Sequence, residues 1–145
     1  MKQNNIDSWF VTGFADAESC FTFSVGLCPR NNKMKAGWQV NQSFQITLHQ
    51  KDKALLELIK SNFGNIGYIT SEIKDSLQYQ ISSLKDLTNV IIPHFERYPL
   101  ITQKRADFEL FKMVVEIMNR KEHLTNEGLQ KIVNIRAIIN KGLSD

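Results

Sequence analysis

The chain has 145 residues, of which 42% are hydrophobic, and a formal net charge of +3. This length fits one domain with a substantial core, and the charge is too small to identify a nucleic-acid binder by itself. The apolar runs are shorter than the roughly 18 residues of a membrane span, and the first residues lack the pattern of a secretory signal. Cys20 and Cys28 fit no zinc or redox spacing, so we expect reduced thiols in an intracellular protein.

A helix followed by two alternating segments begins the chain. The helix is predicted from Ser8 to about Ala17, with Asp7 or Ser8 as its N-cap. Residues 21–28 and 38–48 then alternate between apolar and polar side chains, which predicts two half-buried strands. The polar, basic residues 29–35 predict the turn that joins them.

The rest of the chain adds one more hairpin and several helices. We predict a helix over 53–62, a hairpin of strands 67–73 and 77–81, a helix that Ser83 opens and Pro93 ends, a helix of about 103–122, and a last helix of about 126–141 with Thr125 as its cap and Gly142 as its stop. Antiparallel strands with helices on one face predict an α+β fold with one sheet face uncovered.

The uncovered face has an unusual composition. A solvated strand face usually carries Lys, Glu and Thr, whereas this one is rich in amides and hydroxyls, which both donate and accept hydrogen bonds and can pair with base edges in the major groove. Plain solvation is the alternative interpretation. We predict that the face binds DNA through Thr22, Ser24, Gln39, Asn41, Ser43, Gln45, Thr47, Thr70, Glu72, Gln78, Gln80 and Ser82, with Arg30, Lys33, Lys35 and Lys74 in or near the turns holding phosphates.

The first helix has two small residues on one side and two acids at its end. Gly13 and Ala17 are four residues apart, so they share a face that a second helix could approach closely. Asp16 and Glu18 lie at the negative end of the helix dipole, where acids are disfavoured. Acids at such an unfavourable position are expected at a functional site. Two exposed acids at a frayed helix end would give the same sequence pattern.

Residues 11–19, Val-Thr-Gly-Phe-Ala-Asp-Ala-Glu-Ser, resemble the LAGLIDADG motif of homing endonucleases. The resemblance continues in residues 44–53 and 94–104, so it spans nearly the whole chain. It implies an αββαββα core with a saddle-shaped antiparallel sheet and an extra C-terminal helix. It also implies two such domains side by side on double-stranded DNA, most simply as a homodimer, and an organellar, intron-encoded origin.

The resemblance further implies the roles of single residues. Glu18 would be the acid that binds Mg²⁺, with Ca²⁺ as a non-cleaving substitute, and Ala17 would lie beside it in the metal site. Gln45 and Lys104 would accompany Glu18 as catalytic candidates, although Lys104 could equally be a surface lysine at a helix start. Asp16 would hold nearby backbone. The implied interface between the domains consists of Trp9, Thr12, Gly13, Asp16 and Ala17.

Ser19 departs from the family pattern, in which glycine usually follows the metal-binding acid. A glycine there can supply a left-handed backbone, which serine adopts at a cost of about 1 kcal/mol. We therefore expect Ser19 to affect either activity or the geometry of the domain pair.

Three functions fit the sequence. The first is a homodimeric endonuclease that cuts a palindromic or near-palindromic site. The second is a nucleic-acid binder without cleavage, such as an intron-splicing maturase. The third is one half of a two-domain enzyme, natural or engineered, which is either expressed alone or paired with an unlike half. The presence of Glu18 favours cleavage over the second, while the first and third remain open.

Overall fold

A computed structural model describes residues 6–27 and 38–140. Helix α1 (Ser8–Glu18) begins at Asp7, whose carboxylate accepts a hydrogen bond from the Trp9 amide at 2.7 Å. Of the two N-caps that the sequence allows, Asp7 is therefore correct. The predicted turn at 29–35, the side chain of Cys28 and the stop at Gly142 lie outside the described residues.

The first half of the domain alternates between helix and hairpin. Strand β1 (Ser19–Leu27) follows α1 directly and pairs with β2 (Trp38–His49), and a short 3₁₀ turn leads into helix α2 (Lys53–Asn62). A second hairpin consists of β3 (Tyr68–Ser71) and β4 (Ser76–Ile81). The four strands form one antiparallel sheet in the order β1-β2-β4-β3.

The second half of the domain is helical. It contains α3 (Leu84–Asp86), a π-helical turn at Leu87–Ile91, α4 (Ile92–Arg97), α5 (Lys104–Asn119) and α6 (Asn126–Asn140). The predicted α+β class and the αββαββα order are therefore confirmed, with α5 and α6 following the second hairpin. None of the helices in the described ranges is long and apolar enough to cross a bilayer.

Pro93 does not end a helix, so that prediction is wrong. The π-helical turn precedes it, and Pro93 falls in the first turn of α4. The chain stays helical from the π turn into α4: the Ile92 amide bonds to the Leu87 carbonyl, five residues back, and this wider turn carries the helix past a residue that has no N–H to donate. The predicted cap at Ser83 is confirmed, since its hydroxyl accepts a hydrogen bond from the Asp86 amide at 3.3 Å.

The core lies between the helices and one face of the sheet. Most apolar side chains on the inward face of β1, β2 and β4 are buried, and Phe21 packs against Phe44, Phe95, Phe108 and Phe111 with ring centroids 5.1 to 5.6 Å apart. Aromatic rings at these separations add to the free energy of burial through tilted and edge-to-face contacts. Among residues 6–27 and 38–140, no helix lies over the opposite face of the sheet, where Ser24, Asn41 and Thr47 are exposed.

Candidate functional site

The register of the sheet places the predicted polar residues on one face. Cys20 lies opposite Gln45, which lies opposite Gln80, so these three form a row across β1, β2 and β4. The neighbouring rows contain Thr22 with Ser43, Ser24 with Asn41, and Thr47 with Gln78 and Thr70. The alternation in the sequence therefore predicted the face correctly.

Hydrogen bonds connect the side chains in the middle of this face. The Gln78 amide donates to the Gln45 side-chain oxygen at 3.3 Å, and the Gln45 amide donates to the Ser43 hydroxyl at 2.8 Å. The Ser43 and Thr22 hydroxyls lie 3.0 Å apart. These hydrogen bonds bury Ser43 and fix the orientation of the two side-chain amides. The donors and acceptors of the face therefore have defined positions before any ligand binds.

Gln80 differs from its neighbours in this network. It is half-buried in the same row as Gln45, yet its side chain makes no hydrogen bond to another described residue. Its amide is therefore available to an external partner. Ser82, one residue beyond β4, has its carbonyl bonded to the Gln42 amide at 2.8 Å.

Tyr68 belongs to the polar face but was not predicted. It lies opposite Gln80 on β3 and is 47% exposed. The signal was available, because Tyr68 is two residues before Thr70 and side chains of a strand return to the same face every second residue. A tyrosine there adds an aromatic ring and a hydroxyl to a surface of amides.

Of the four basic residues predicted to hold phosphates, only Lys74 lies in the part of the chain that the structure describes. Lys74 is exposed in the turn between β3 and β4, where it has a left-handed backbone with φ of 56°. Glu72 is exposed beside it and accepts a long hydrogen bond of 3.5 Å from the Thr70 hydroxyl. Arg30, Lys33 and Lys35 lie outside the described residues.

Helix α1 presents one face to solvent. Trp9, Gly13 and Ala17 follow each other at intervals of four residues, and all three are exposed together with Phe10. A β-carbon built on Gly13 meets no atom within 4 Å. The structure therefore places three of the predicted interface residues on a common open face.

Thr12 does not belong to that face, so its assignment to the interface is wrong. It is buried, and its hydroxyl donates to the Tyr98 carbonyl at 2.8 Å. The hydroxyl also lies 3.1 Å from Nε2 of His94. Because its one proton is used, Nε2 must be the donor in that contact, which identifies the tautomer of a neutral His94.

Asp16 anchors the segment before α5. Its carboxylate accepts hydrogen bonds from the amides of Ile101 and Thr102 at 2.9 and 3.2 Å and from the Thr102 hydroxyl at 2.7 Å. The expectation that Asp16 holds nearby backbone is confirmed. These bonds fix the start of α5, and therefore Lys104, relative to the end of α1.

Ser19 has no left-handed backbone, so the expected cost of about 1 kcal/mol does not arise. Its φ is −91°, and its ψ of 170° is already that of a strand. Its amide and its hydroxyl both donate to the Ala15 carbonyl, the latter at 2.7 Å. Ser19 thus ends α1 by occupying a carbonyl that would otherwise lack a partner.

Glu18, Lys104 and Gln45 all lie near the junction of α1 and β1. Glu18 is exposed at the last position of the helix, and the Lys104 ammonium donates to the carbonyl of the next residue, Ser19. Gln45 lies opposite Cys20 on the adjacent strand. Lys104 is indeed the first residue of α5, but it is half-buried and bound to backbone rather than a freely solvated surface lysine.

The donor set at this point suits a hard cation but is incomplete. The Glu18 carboxylate is exposed, and Ala17 in the same last helical turn adds a carbonyl oxygen; Mg²⁺ and Ca²⁺ prefer such oxygens. Within residues 6–27 and 38–140, no three His, Cys, Asp or Glu side chains are grouped so that they could hold a metal ion.

His94 supports α1 from behind, and it makes the domain sensitive to acid. Burial among Phe63, Phe95 and Tyr98 lowers the pKa of His94 to about 4, while an unfolded histidine titrates near 6.5. Below about pH 6.5 the unfolded chain therefore binds a proton that the folded domain resists, so stability falls until about pH 4 and then levels off.

We expect the wild type to lose about 1–2 kcal/mol more unfolding free energy than a His94→Gln variant between about pH 7 and pH 4.5, after allowance for partial exposure of the ring. Glutamine can still donate to Thr12 but does not titrate. Denaturant melts at several pH values would measure the difference. Parallel pH curves for the two proteins would show that His94 does not cause the acid sensitivity.

The structure is thus an α+β domain with a polar sheet face and with an acidic residue at the end of a helix that has one exposed face. A sequence profile of the LAGLIDADG endonuclease family matches residues 11–115. Because this match covers well over half of the chain, the chain belongs to the LAGLIDADG endonuclease family.

Relatives and solved structures agree with this membership. The chain is 47% identical over 137 residues to probable intron-encoded endonuclease 2 of Neurospora crassa, covering 93% of this chain and 29% of that protein. It is 46% identical to probable intron-encoded endonuclease 3 of the same organism, covering 97% of this chain and 26% of that protein. The chain thus spans less than a third of the length of these curated relatives.

Two solved homing endonucleases share the fold. I-SmaMI, bound to an uncleaved DNA target in the presence of calcium ions, superposes with a TM-score of 0.89 at 44% identity, covering 94% of this chain and 46% of that chain. The meganuclease I-CpaMI, bound to uncleaved DNA, superposes with a TM-score of 0.82 at 45% identity, covering 90% and 43%. The single domain described here thus corresponds to less than half of each enzyme.

Proposed function

We propose that this domain pairs with a second LAGLIDADG domain to form a site-specific, metal-dependent endonuclease that cleaves double-stranded DNA. The observation that carries the proposal is the end of α1: an exposed Glu18 is followed by Ser19, whose carbonyl accepts from the Lys104 ammonium, and the same helix exposes Trp9, Gly13 and Ala17 on one face. A second α1 packed on that face brings a second carboxylate to the same point. Like charges that close repel unless cations separate them.

Binding of DNA is assigned to the polar face of the sheet. It carries the donors and acceptors that distinguish base pairs in the major groove, and the network through Gln45 and Gln78 orders them before binding. The related enzyme I-SmaMI has been solved with cleaved DNA and with an uncleaved target in calcium. We extend the same substrate class to this chain, together with an intron-encoded origin like that in the names of its relatives.

We propose a role for each residue at the end of α1, and the contacts of these residues support it. Glu18, with the carbonyl of Ala17, would hold a divalent cation, and Mg²⁺ bound there supplies charge that stabilises the oxygens of the phosphodiester and lowers the pKa of water. Asp16 fixes the segment that leads to Lys104, and Ser19 holds the Lys104 ammonium through its carbonyl. Lys104 thereby presents a positive charge to a phosphate that approaches Glu18, and Gln45 orients solvent from the neighbouring strand.

A selection followed by a cleavage assay tests the proposal. The protein would first select duplexes from a randomised library in Ca²⁺, and the enriched duplex would then be incubated with the protein in Mg²⁺. We expect cutting of both strands in Mg²⁺ and binding without cutting in Ca²⁺. Binding without cutting in both metals would favour the non-cleaving alternative, and the absence of any enriched sequence would contradict specific recognition.

Gln80→Ala should change sequence preference rather than overall affinity. Its side chain has no bond to the other described residues, so its removal leaves the network of Gln45 and Gln78 in place. A good bidentate contact to a base contributes about 1–3 kcal/mol of discrimination. Binding titrations on a panel of single base-pair variants of the selected duplex would reveal relaxed discrimination at one or two positions. An equal loss on every duplex would instead indicate that Gln80 holds the backbone of DNA or of the protein.

A further inference from the structure

The free edge of strand β1 is occupied by two cationic side chains. β1 is the first strand of the sheet, so its outer edge has no neighbouring strand. The Lys104 ammonium donates to the Ser19 carbonyl on this edge, and a guanidinium nitrogen of Arg136 donates to the Phe23 carbonyl. Such contacts protect an exposed edge from pairing with another chain, but a lysine and an arginine offer more donors than two carbonyls can accept.

Arg136 is brought to the edge by the last helix. Leu129, Ile132 and Ile135 of α6 are buried against the domain, so the position of the helix is fixed by apolar packing. Arg136 follows Ile135 and reaches past β1. Its side chain lines the cleft along the β1 edge and also the groove on the polar face that contains Thr22 and Ser24.

The charge of this cleft is positive. Besides Arg136, its titratable residues are Lys104, Asp107 and Cys20, so two cations face one carboxylate. Desolvation raises the pKa of the Cys20 thiol, and Asp107 raises it further while Lys104 lowers it, so the thiol is uncharged at neutral pH. A guanidinium has five N–H donors in a planar fork, and the Phe23 carbonyl accepts from one nitrogen only.

The spacing of the two cations suits a nucleic-acid strand. Ser19 and Phe23 are four residues apart, which corresponds to about 13 Å along a strand. Each nucleotide of a DNA strand carries one phosphate, so two cations at that separation can face different phosphates of one strand. Arginine binds phosphate well because its fork can donate two parallel hydrogen bonds.

We propose that Arg136 is a DNA-contacting residue, which binds a backbone phosphate at the β1 edge while it stays docked on the Phe23 carbonyl. This inference rests on the proposed function and extends it: α6 becomes part of the DNA-binding surface. The phosphate lies farther along β1 than the one that Lys104 faces beside Glu18. The contact carries no base specificity, because every nucleotide presents the same phosphate.

The salt dependence of binding tests the assignment. Wild type, Arg136→Ala, Arg136→Lys and Arg136→Gln would be titrated with the selected duplex in Ca²⁺ over a series of salt concentrations. We expect Arg136→Ala to bind about tenfold more weakly near physiological salt, and the slope of log K against log salt to become shallower by about 0.9. The loss should be equal on duplexes altered at single base pairs. Arg136→Lys should retain most of the slope, since it retains the charge.

Lys131→Ala is the matched control. Lys131 is an exposed cation on the same helix, but it lies five residues away and beside Glu122 and Glu127 rather than at the β1 edge. We expect this variant to keep the affinity and salt slope of the wild type. An equal change in both variants would mean that the effect comes from overall charge, which would overturn the assignment.

Thermal unfolding separates a binding role from a structural one. Arg136→Gln removes the charge but keeps a side-chain N–H donor and part of the aliphatic stem, so it should disturb the fold less than Arg136→Ala and show the same shallower slope. An unchanged slope in Arg136→Gln, with a lowered unfolding temperature in Arg136→Ala, would show that Arg136 only holds the strand edge. If the wild type selects no duplex at all, the proposed function fails; if the wild type binds and cuts while Arg136→Gln matches it, only this inference fails.

Discussion

Glu18→Gln should reduce cleavage to near background while DNA binding persists. The substitution keeps the size of the side chain and its hydrogen-bonding reach but removes the charge that would hold a divalent cation. A bound cation contributes several kcal/mol of transition-state stabilisation, which corresponds to at least about a thousandfold in rate. Glu18 is exposed, and within residues 6–27 and 38–140 its side chain has no hydrogen-bond partner, so the fold should not change. A cleavage assay in Mg²⁺ beside a binding titration in Ca²⁺ would measure both effects.

Two other acids serve as controls for Glu18. Glu116→Gln removes an exposed acid of α5 and should leave cutting and binding unchanged. Asp16→Asn should instead lower stability, because the Asp16 carboxylate accepts three hydrogen bonds from Ile101 and Thr102. Full cutting by Glu18→Gln would remove Glu18 from the mechanism and leave Asp16 as the acid to test. If the variant lost both its fold and its DNA binding, Glu18 would be needed for folding rather than for cleavage.

Local periodicity explains why the sheet was predictable. A strand turns successive side chains to opposite faces, so the alternation in residues 38–48 determines which of them are buried. The register then placed Gln45, Gln78 and Gln80 side by side. Tyr68 could have been found by the same argument. Asp16 was also assigned correctly, although through the resemblance to a family rather than through any local pattern.

The remaining features depend on contacts that no local pattern contains. Arg136 lies 113 residues after Phe23, so only the packing of α6 could reveal that they meet. Thr12 was wrongly assigned to the interface. Helical periodicity predicts which residues share a side of the helix, but it does not predict which part of the chain packs against that side. His94 and Tyr98 cover Thr12. Pro93 was misjudged because a π-helical turn has no simple sequence signal. At Ser19, the family pattern suggested a left-handed backbone that this chain does not adopt.

Gly13→Leu should abolish pairing of two domains without harming the single domain. A β-carbon at Gly13 meets open space, and leucine favours a helix by roughly 0.5–1 kcal/mol over glycine, so the unfolding temperature should stay the same or rise. In the proposed pair, however, a second α1 lies against Gly13 and Ala17, and a leucine side chain would push it away. Light scattering on the protein with the selected duplex should therefore change from two domains per duplex to fewer. Cleavage should disappear with the pair, because in the proposed site each domain contributes one carboxylate.

Side chains of increasing size at position 13 should weaken the pairing of two domains step by step. Gly13→Ala adds one methyl group and should weaken pairing less than leucine does, because two helices can approach more closely when the side chains between them are smaller. Ala54→Leu enlarges an exposed residue of α2, away from the open face of α1, and should leave pairing and cutting as in the wild type. If Gly13→Leu still placed two domains on each duplex and cut at the wild-type rate, the open face of α1 would not be the contact surface. The second carboxylate of the site would then have to reach Glu18 by another route, along the β1 edge beside Lys104 rather than down the helix.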